Sequence, residues 1–149
     1  MARYDVYLQI VPADQYTGTK FISFGQKRTV SVRGIQKLVD MFTIALLTPT
    51  GSDPLDLARG TDLPNLIGSN VGLDDAHEIL LLSVDKASSD IISYQQGKQI
   101  PSDERLSAAT VTDYIVIPEA PGFAAQIFVE NIVDQGLTFL LPTLEVRAT

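Results

Sequence analysis

The chain has 149 residues, no Cys, no Trp, one His and a net charge of −7 from 11 basic and 18 acidic groups. Its length suits a single domain, residues 1–149, and an apolar fraction of 45% with a mean hydropathy of +0.14 is enough for a packed core. Lack of Cys excludes disulfide scaffolds, thiolate zinc sites and cysteine nucleophiles, and one His excludes a His-rich metal cage.

The N-terminal part, residues 1–34, reads as strands. Tyr4, Val6, Leu8 and Ile10 alternate with Arg3, Asp5, Tyr7 and Gln9, the period of a half-buried strand. Two further β-like pieces follow at 20–24 and 28–33, and Gly34 closes the region. From Ile35 the period changes. Ile35, Leu38, Val39, Phe42, Ala45 and Leu46 lie on one face of an amphipathic helix that stops at Thr48-Pro49. Residues 55–70 read as a long loop with a short helix around 63–67.

A second helix is expected to start at Asp74 as its N-cap, with Asp75 and Glu78 at the positive end of its dipole. Leu80, Val84, Ala87, Ile91 and Tyr94 form its stripe, and Gly97 ends it. The C-terminal part, residues 105–149, is β again. Val111, Asp113, Ile115 and Ile117 alternate with Thr112, Tyr114 and Val116. After a turn at 118–122 the strand 123–131 places Phe123, Ala125, Ile127 and Val129 on one face, and a turn at 134–136 leads into a last strand, 137–146. The expected architecture is α+β: a mixed or antiparallel sheet of N-terminal strands and C-terminal meander, with two main helices from the middle, 35–104, packed on it.

Charge is unevenly placed. Residues 1–37 carry +4 and residues 38–149 carry −11, a polarity that can steer a protein onto an oppositely charged neighbour or onto copies of itself. The acidic balance disfavours nucleic acid as the main ligand. The opening Met-Ala-Arg-Tyr-Asp-Val has no apolar signal core, and no run approaches the roughly 20 apolar residues of a membrane span. A protein made in a reducing cytosol, without membrane contact, is the expectation.

Catalytic signals are weak. Asp53 with Asp56, and Asp103 with Glu104, are carboxylate pairs that chance supplies readily among 18 acidic residues, and turn-capping or solvated roles explain them. His77 beside Asp74, Asp75 and Glu78 has no second His or Cys to complete a metal site and reads as a surface residue. No phosphate-binding glycine loop and no G-x-S-x-G elbow is present.

The order of short motifs is more informative. Leu47-Thr48 and Gly51 close the first helix, Gly60 and Leu63 follow, and Asp103-Glu104-Arg105 enters the meander after the second helix. This order, over about residues 35–140, resembles the sheath-initiator or baseplate-wedge family of contractile phage tails and related injection machines. Some of its relatives carry a lysozyme-like label. The family's Glu-Pro-Arg motif is represented by Asp103-Glu104-Arg105, Arg59 stands where an aromatic is usual, and Ser52 where Glu is usual.

The resemblance implies a structural virion protein, not an enzyme, with no cofactor and no metal. Its partners would be baseplate wedge proteins, tail sheath and, further, the tail tube. It would be assembled in the host cytoplasm and reside in the tail baseplate. Asp103, Glu104 and Arg105 would hold the core contact. A buried Arg105 with an adjacent carboxylate could fix one packing arrangement; the plainer alternative is a surface ion pair worth about 0–1 kcal/mol. Leu137, Phe139 and Leu141 would mark an edge strand that adds to a sheath subunit and so nucleates the sheath. The alternatives from other classes are a small peptidoglycan-cleaving glycoside hydrolase, in keeping with the label, and another tail or head-completion protein.

Overall fold

The structure, a computed structural model, describes residues 33–66, 69, 71–117 and 122–145. The strands expected before Arg33 lie outside these residues. The elements are α1 (Ile35–Leu46), a short 3-10 helix (Leu63–Leu66), α2 (Leu73–Gln95), a second 3-10 turn (Ser102–Glu104), β1 (Leu106–Ile117), β2 (Gly122–Asn131) and β3 (Gly136–Glu145). The strands form an antiparallel sheet in the order β1-β2-β3. Both helices pack on it, giving an α+β fold.

Side-chain periodicity explains the layering. The predicted face of α1 is the observed one: Leu38, Val39, Phe42, Ala45 and Leu46 are buried. Every second residue of β2, from Phe123 to Val129, points at the helices. Phe42 meets Phe139 of β3 edge to face, with ring centroids 6.2 Å apart, the arrangement aromatic quadrupoles favour.

Three sequence expectations are corrected. Helix α2 starts from Gly72, which has no side-chain cap, and Asp74 lies inside its first turn with Asp75, where both carboxylates face the positive helix end. At its other end Tyr94 is exposed and Gln95 is buried, because Gln95 continues the four-residue step from Ala87 and Ile91. In β1 the strict alternation fails. Val111 pairs with Ile127 but Asp113 with Gln126, so Thr112 is an extra residue and the strand changes face there. Tyr114 therefore turns toward the core, and Ile115 is exposed. A second irregularity in β1 skips Ser107, and one in β3 sets two residues, Pro142 and Thr143, opposite Ala124. A proline is tolerated in such a place because the ladder is already broken.

The loop between α1 and the first 3-10 helix is fastened to both helices. Thr61 donates its hydroxyl to the Leu46 carbonyl at 2.6 Å and its amide to the Thr48 carbonyl at 2.8 Å, satisfying carbonyls at the C-terminal end of α1. Gly60 donates its amide to Asp90 of α2 at 3.1 Å. Only glycine fits at position 60: its φ is 109°, and a Cβ would lie 2.6 Å from the Pro49 carbonyl oxygen.

Candidate functional site

Asp103, Glu104 and Arg105 lie where α1, α2 and the β2–β3 turn converge. The 3-10 turn Ser102–Glu104 delivers them, and β1 begins at the next residue, Leu106. Glu104 is the centre. Its side chain is only 8% exposed, and its Oε2 accepts from Lys37 Nζ at 2.7 Å. Its Oε1 accepts the Gly34 amide at 3.3 Å. Helix α1 has no side-chain cap of its own, so a carboxylate 70 positions later in the chain serves its N-terminus. The Lys37 ammonium, with help from the Gly34 amide and the Arg33 charge, holds the Glu104 carboxyl below its ordinary range against the opposing effect of burial.

The main chain on either side of Arg105 is bound by Gln95. Its Nε2 donates to the Glu104 carbonyl at 2.8 Å, and its Oε1 accepts the Leu106 amide at 3.0 Å. Asn131, fully buried at the end of β2, does the same for the turn. Its Nδ2 donates to the Asp103 carbonyl at 2.9 Å and to Gln135 Oε1 at 3.1 Å. Its Oδ1 accepts the amides of Val133 and Gln135 at 3.1 and 2.9 Å. Among the described residues, no buried side-chain polar atom lacks a partner, as a low-dielectric interior requires.

Arg105 departs from expectation. Among the described residues it pairs with no carboxylate; its Nε donates to the Ile100 carbonyl at 3.1 Å and its terminal nitrogen to the Lys98 carbonyl at 2.6 Å. The guanidinium clamps the turn after α2, and the carboxylate it was expected to hold goes to Lys37 instead. Asp103 is half-buried, and its Oδ2 lies 3.1 Å from where a Cβ on Gly34 would sit.

The structure thus brings Asp103, Glu104 and Arg105 into one cluster and places Leu137, Phe139 and Leu141 apart from it in β3. Phe139 and Leu141 are buried in the chain's own core, and Leu137 packs half-buried against it. The Phe139 and Leu141 side chains are thus taken up by the core, while Leu137 keeps part of its surface exposed. What β3 offers on the side away from β2, among the described residues, is main-chain N–H and C=O.

Sequence reading passed over Gln95 and Asn131. Both carried a signal: each is a polar residue at an inward position of an otherwise apolar pattern, which calls for fixed hydrogen-bond partners. His77 also differs from expectation. It is half-buried and stacks on Tyr114 with ring centroids 4.3 Å apart, while the Tyr114 hydroxyl donates to the Leu73 carbonyl at 2.9 Å. Burial, followed by the Asp74 charge, pushes the Tyr114 hydroxyl pKa up.

Asp53 and Asp56 take turn-capping roles, accepting the amides of Leu55 and Ala58 at 2.9 and 3.2 Å. Among the described residues no group of three or more His, Asp or Glu is placed to hold a metal, and no helix is long and apolar enough to cross a membrane. Comparison with family models, with curated proteins and with solved structures finds no match for this chain.

Proposed function

We propose that this chain is a structural component of a contractile-tail baseplate that joins wedge proteins and nucleates the sheath by strand addition, with the tail tube as a further candidate partner. The observation that carries this reading is β3. It is a ten-residue strand that pairs with β2 alone among the described residues, and its inward side chains are already committed to the core. An edge of this kind offers main-chain hydrogen bonds to an incoming strand without disturbing the fold. The order of motifs shared with the sheath-initiator family supports the same reading. In it, Asp103, Glu104 and Arg105 act mainly from within. By fastening the start of β1 and the β2–β3 turn to the helices, they fix where the edge points.

Sheath nucleation in vitro tests this. Thr138→Lys with Leu140→Lys places two charges on half-buried positions of β3, a device that blunts strand edges. With a contractile-tail sheath protein, the wild-type protein is expected to seed polymerisation and the double variant to lose seeding while its thermal unfolding remains cooperative. Seeding by the variant at the wild-type level would overturn the reading. A muralytic assay of Asp103→Asn and Glu104→Gln separates the hydrolase alternative, since carboxylate-dependent clearing would replace the structural role. A glycosidase acid needs a raised pKa, and that of Glu104 is lowered.

A further inference from the structure

We propose that the loop of residues 52–59 is a docking finger for a partner protein whose receiving surface is an apolar pocket rimmed by Lys and Arg. Leu55 is 96% exposed and Leu57 67% exposed, two residues apart at the tip of a loop that is internally built. Asp53 and Asp56 hold successive turns, Asp56 donates its amide to the Asp53 carbonyl, and Arg59 donates its amide to the Asp56 carbonyl. The Gly51 amide meets the Arg59 carbonyl at the base, and Gly60 and Thr61 fasten the loop to α2 and α1. A slack loop would fold its leucines back onto the protein. This one holds them in water, so little ordering entropy remains to be lost when a partner covers them.

Charge selects the partner. The loop and its foot carry Asp53, Asp56 and Asp62 against Arg59, which lies 3.5 Å from Asp53, while Lys86 beside Asp62 is already paired with Asp90 of its own helix. An acidic collar around exposed leucines matches a basic rim around an apolar pocket. It opposes contact with the same loop of a second copy and with an anionic membrane surface, and the basic segment 1–37 of a second copy is the competing occupant that cross-linking separates. At the foot of the loop is a cavity of about 280 Å³, lined by Thr50, Asp62, Ile79, Leu82 and Lys86 among others. It is large enough to take a side chain from the partner's rim. This surface is separate from β3, and the inference does not depend on the baseplate reading.

The test places a photo-crosslinking phenylalanine analogue at position 55 of the full chain in the cells that naturally produce it. Cross-linked peptides are identified by mass spectrometry, and the purified partner is titrated calorimetrically. The expected attachment is to one protein, at a segment of apolar residues flanked by Lys or Arg. Leu55→Asp should then weaken binding by about 100-fold, as loss of a central anchor does. Asp56→Asn with Asp62→Asn should slow association and flatten its salt dependence. Because Leu55 is exposed, Leu55→Asp should unfold at the wild-type midpoint, so lost binding is not lost folding. Attachment to a second copy, to lipid or to a surface without basic residues, no attachment at all, or wild-type affinity of Leu55→Asp would each overturn the proposal.

Discussion

Lys37 Nζ lies 2.7 Å from Glu104 Oε2, joining the first turn of α1 to the end of the 3-10 turn that leads into β1 across 67 positions of sequence. The two partners are unequal: Lys37 is 47% exposed and the Glu104 side chain 8%. The lysine is free to turn to water if the pair is broken. The carboxylate and the Gly34 amide have no such exit.

Glu104 should make stability fall with acid. Its folded pKa is lowered from the ordinary 4.5, so its contribution is present in full above 4.5 and is lost as pH falls through the lower folded value. Glu104→Gln is expected to cost about 1 kcal/mol at pH 7, a modest figure because water screens the half-exposed Lys37. Urea unfolding of both proteins from pH 7 to pH 3 should show the difference shrinking below 4.5. A difference that stays constant across that range would refute the assignment.

Gln95→Leu keeps the side-chain bulk but leaves the Glu104 carbonyl and the Leu106 amide without their partner. The expected loss is about 2–4 kcal/mol, from two buried main-chain groups. Asn131→Leu, which frees the Asp103 carbonyl and the turn amides, should cost a similar amount. Hydrogen exchange should show the start of β1 opening first in the Gln95 variant and the β2–β3 turn first in the Asn131 variant.

Asp40 runs the opposite way from Glu104. Burial raises its carboxyl above the ordinary 3.8, and the Gln36 amide at 3.2 Å offsets this only in part. A raised carboxyl pKa favours the folded state below the ordinary value, and that advantage is lost as pH rises through the folded value. Asp40→Asn should therefore raise stability at pH 7 by about 0.5 kcal/mol or less, given the solvent exposure of the site. The gain should vanish near pH 3. Loss of stability at pH 7 would contradict it.

Gly60→Ala drives a methyl group to within 2.6 Å of the Pro49 carbonyl oxygen at a φ of 109°. A cost of about 3 kcal/mol is expected, together with faster proteolysis of the loop 50–62. An unchanged unfolding midpoint would show that the loop yields without cost.

Elements with one strong period were legible in the sequence, and junctions were not. The limits of α1 and the inward face of β2 follow directly from where Leu38, Phe42, Phe123 and Ile127 fall. The face change in β1 was hidden because one extra residue, Thr112, has no compositional mark; Ile115 and Tyr114 were both plausible inward residues. The placement of Asp103-Glu104-Arg105 beside the strands was legible, but their partners were not. Lys37 and Gln95 are distant in sequence, and only the packing of α1 and α2 on the sheet brings them to the cluster.

The bulges in β1 also give the molecule a direction. Skipped residues at Ser107 and Thr112 break that rim into short pieces whose hydrogen-bonding groups fall out of step, whereas β3 runs unbroken from Gly136 to Leu141. Among the described residues a continuous run of edge hydrogen-bonding groups is found on the β3 rim and not on the β1 rim. The proposed strand addition is thereby expected at β3 rather than at β1.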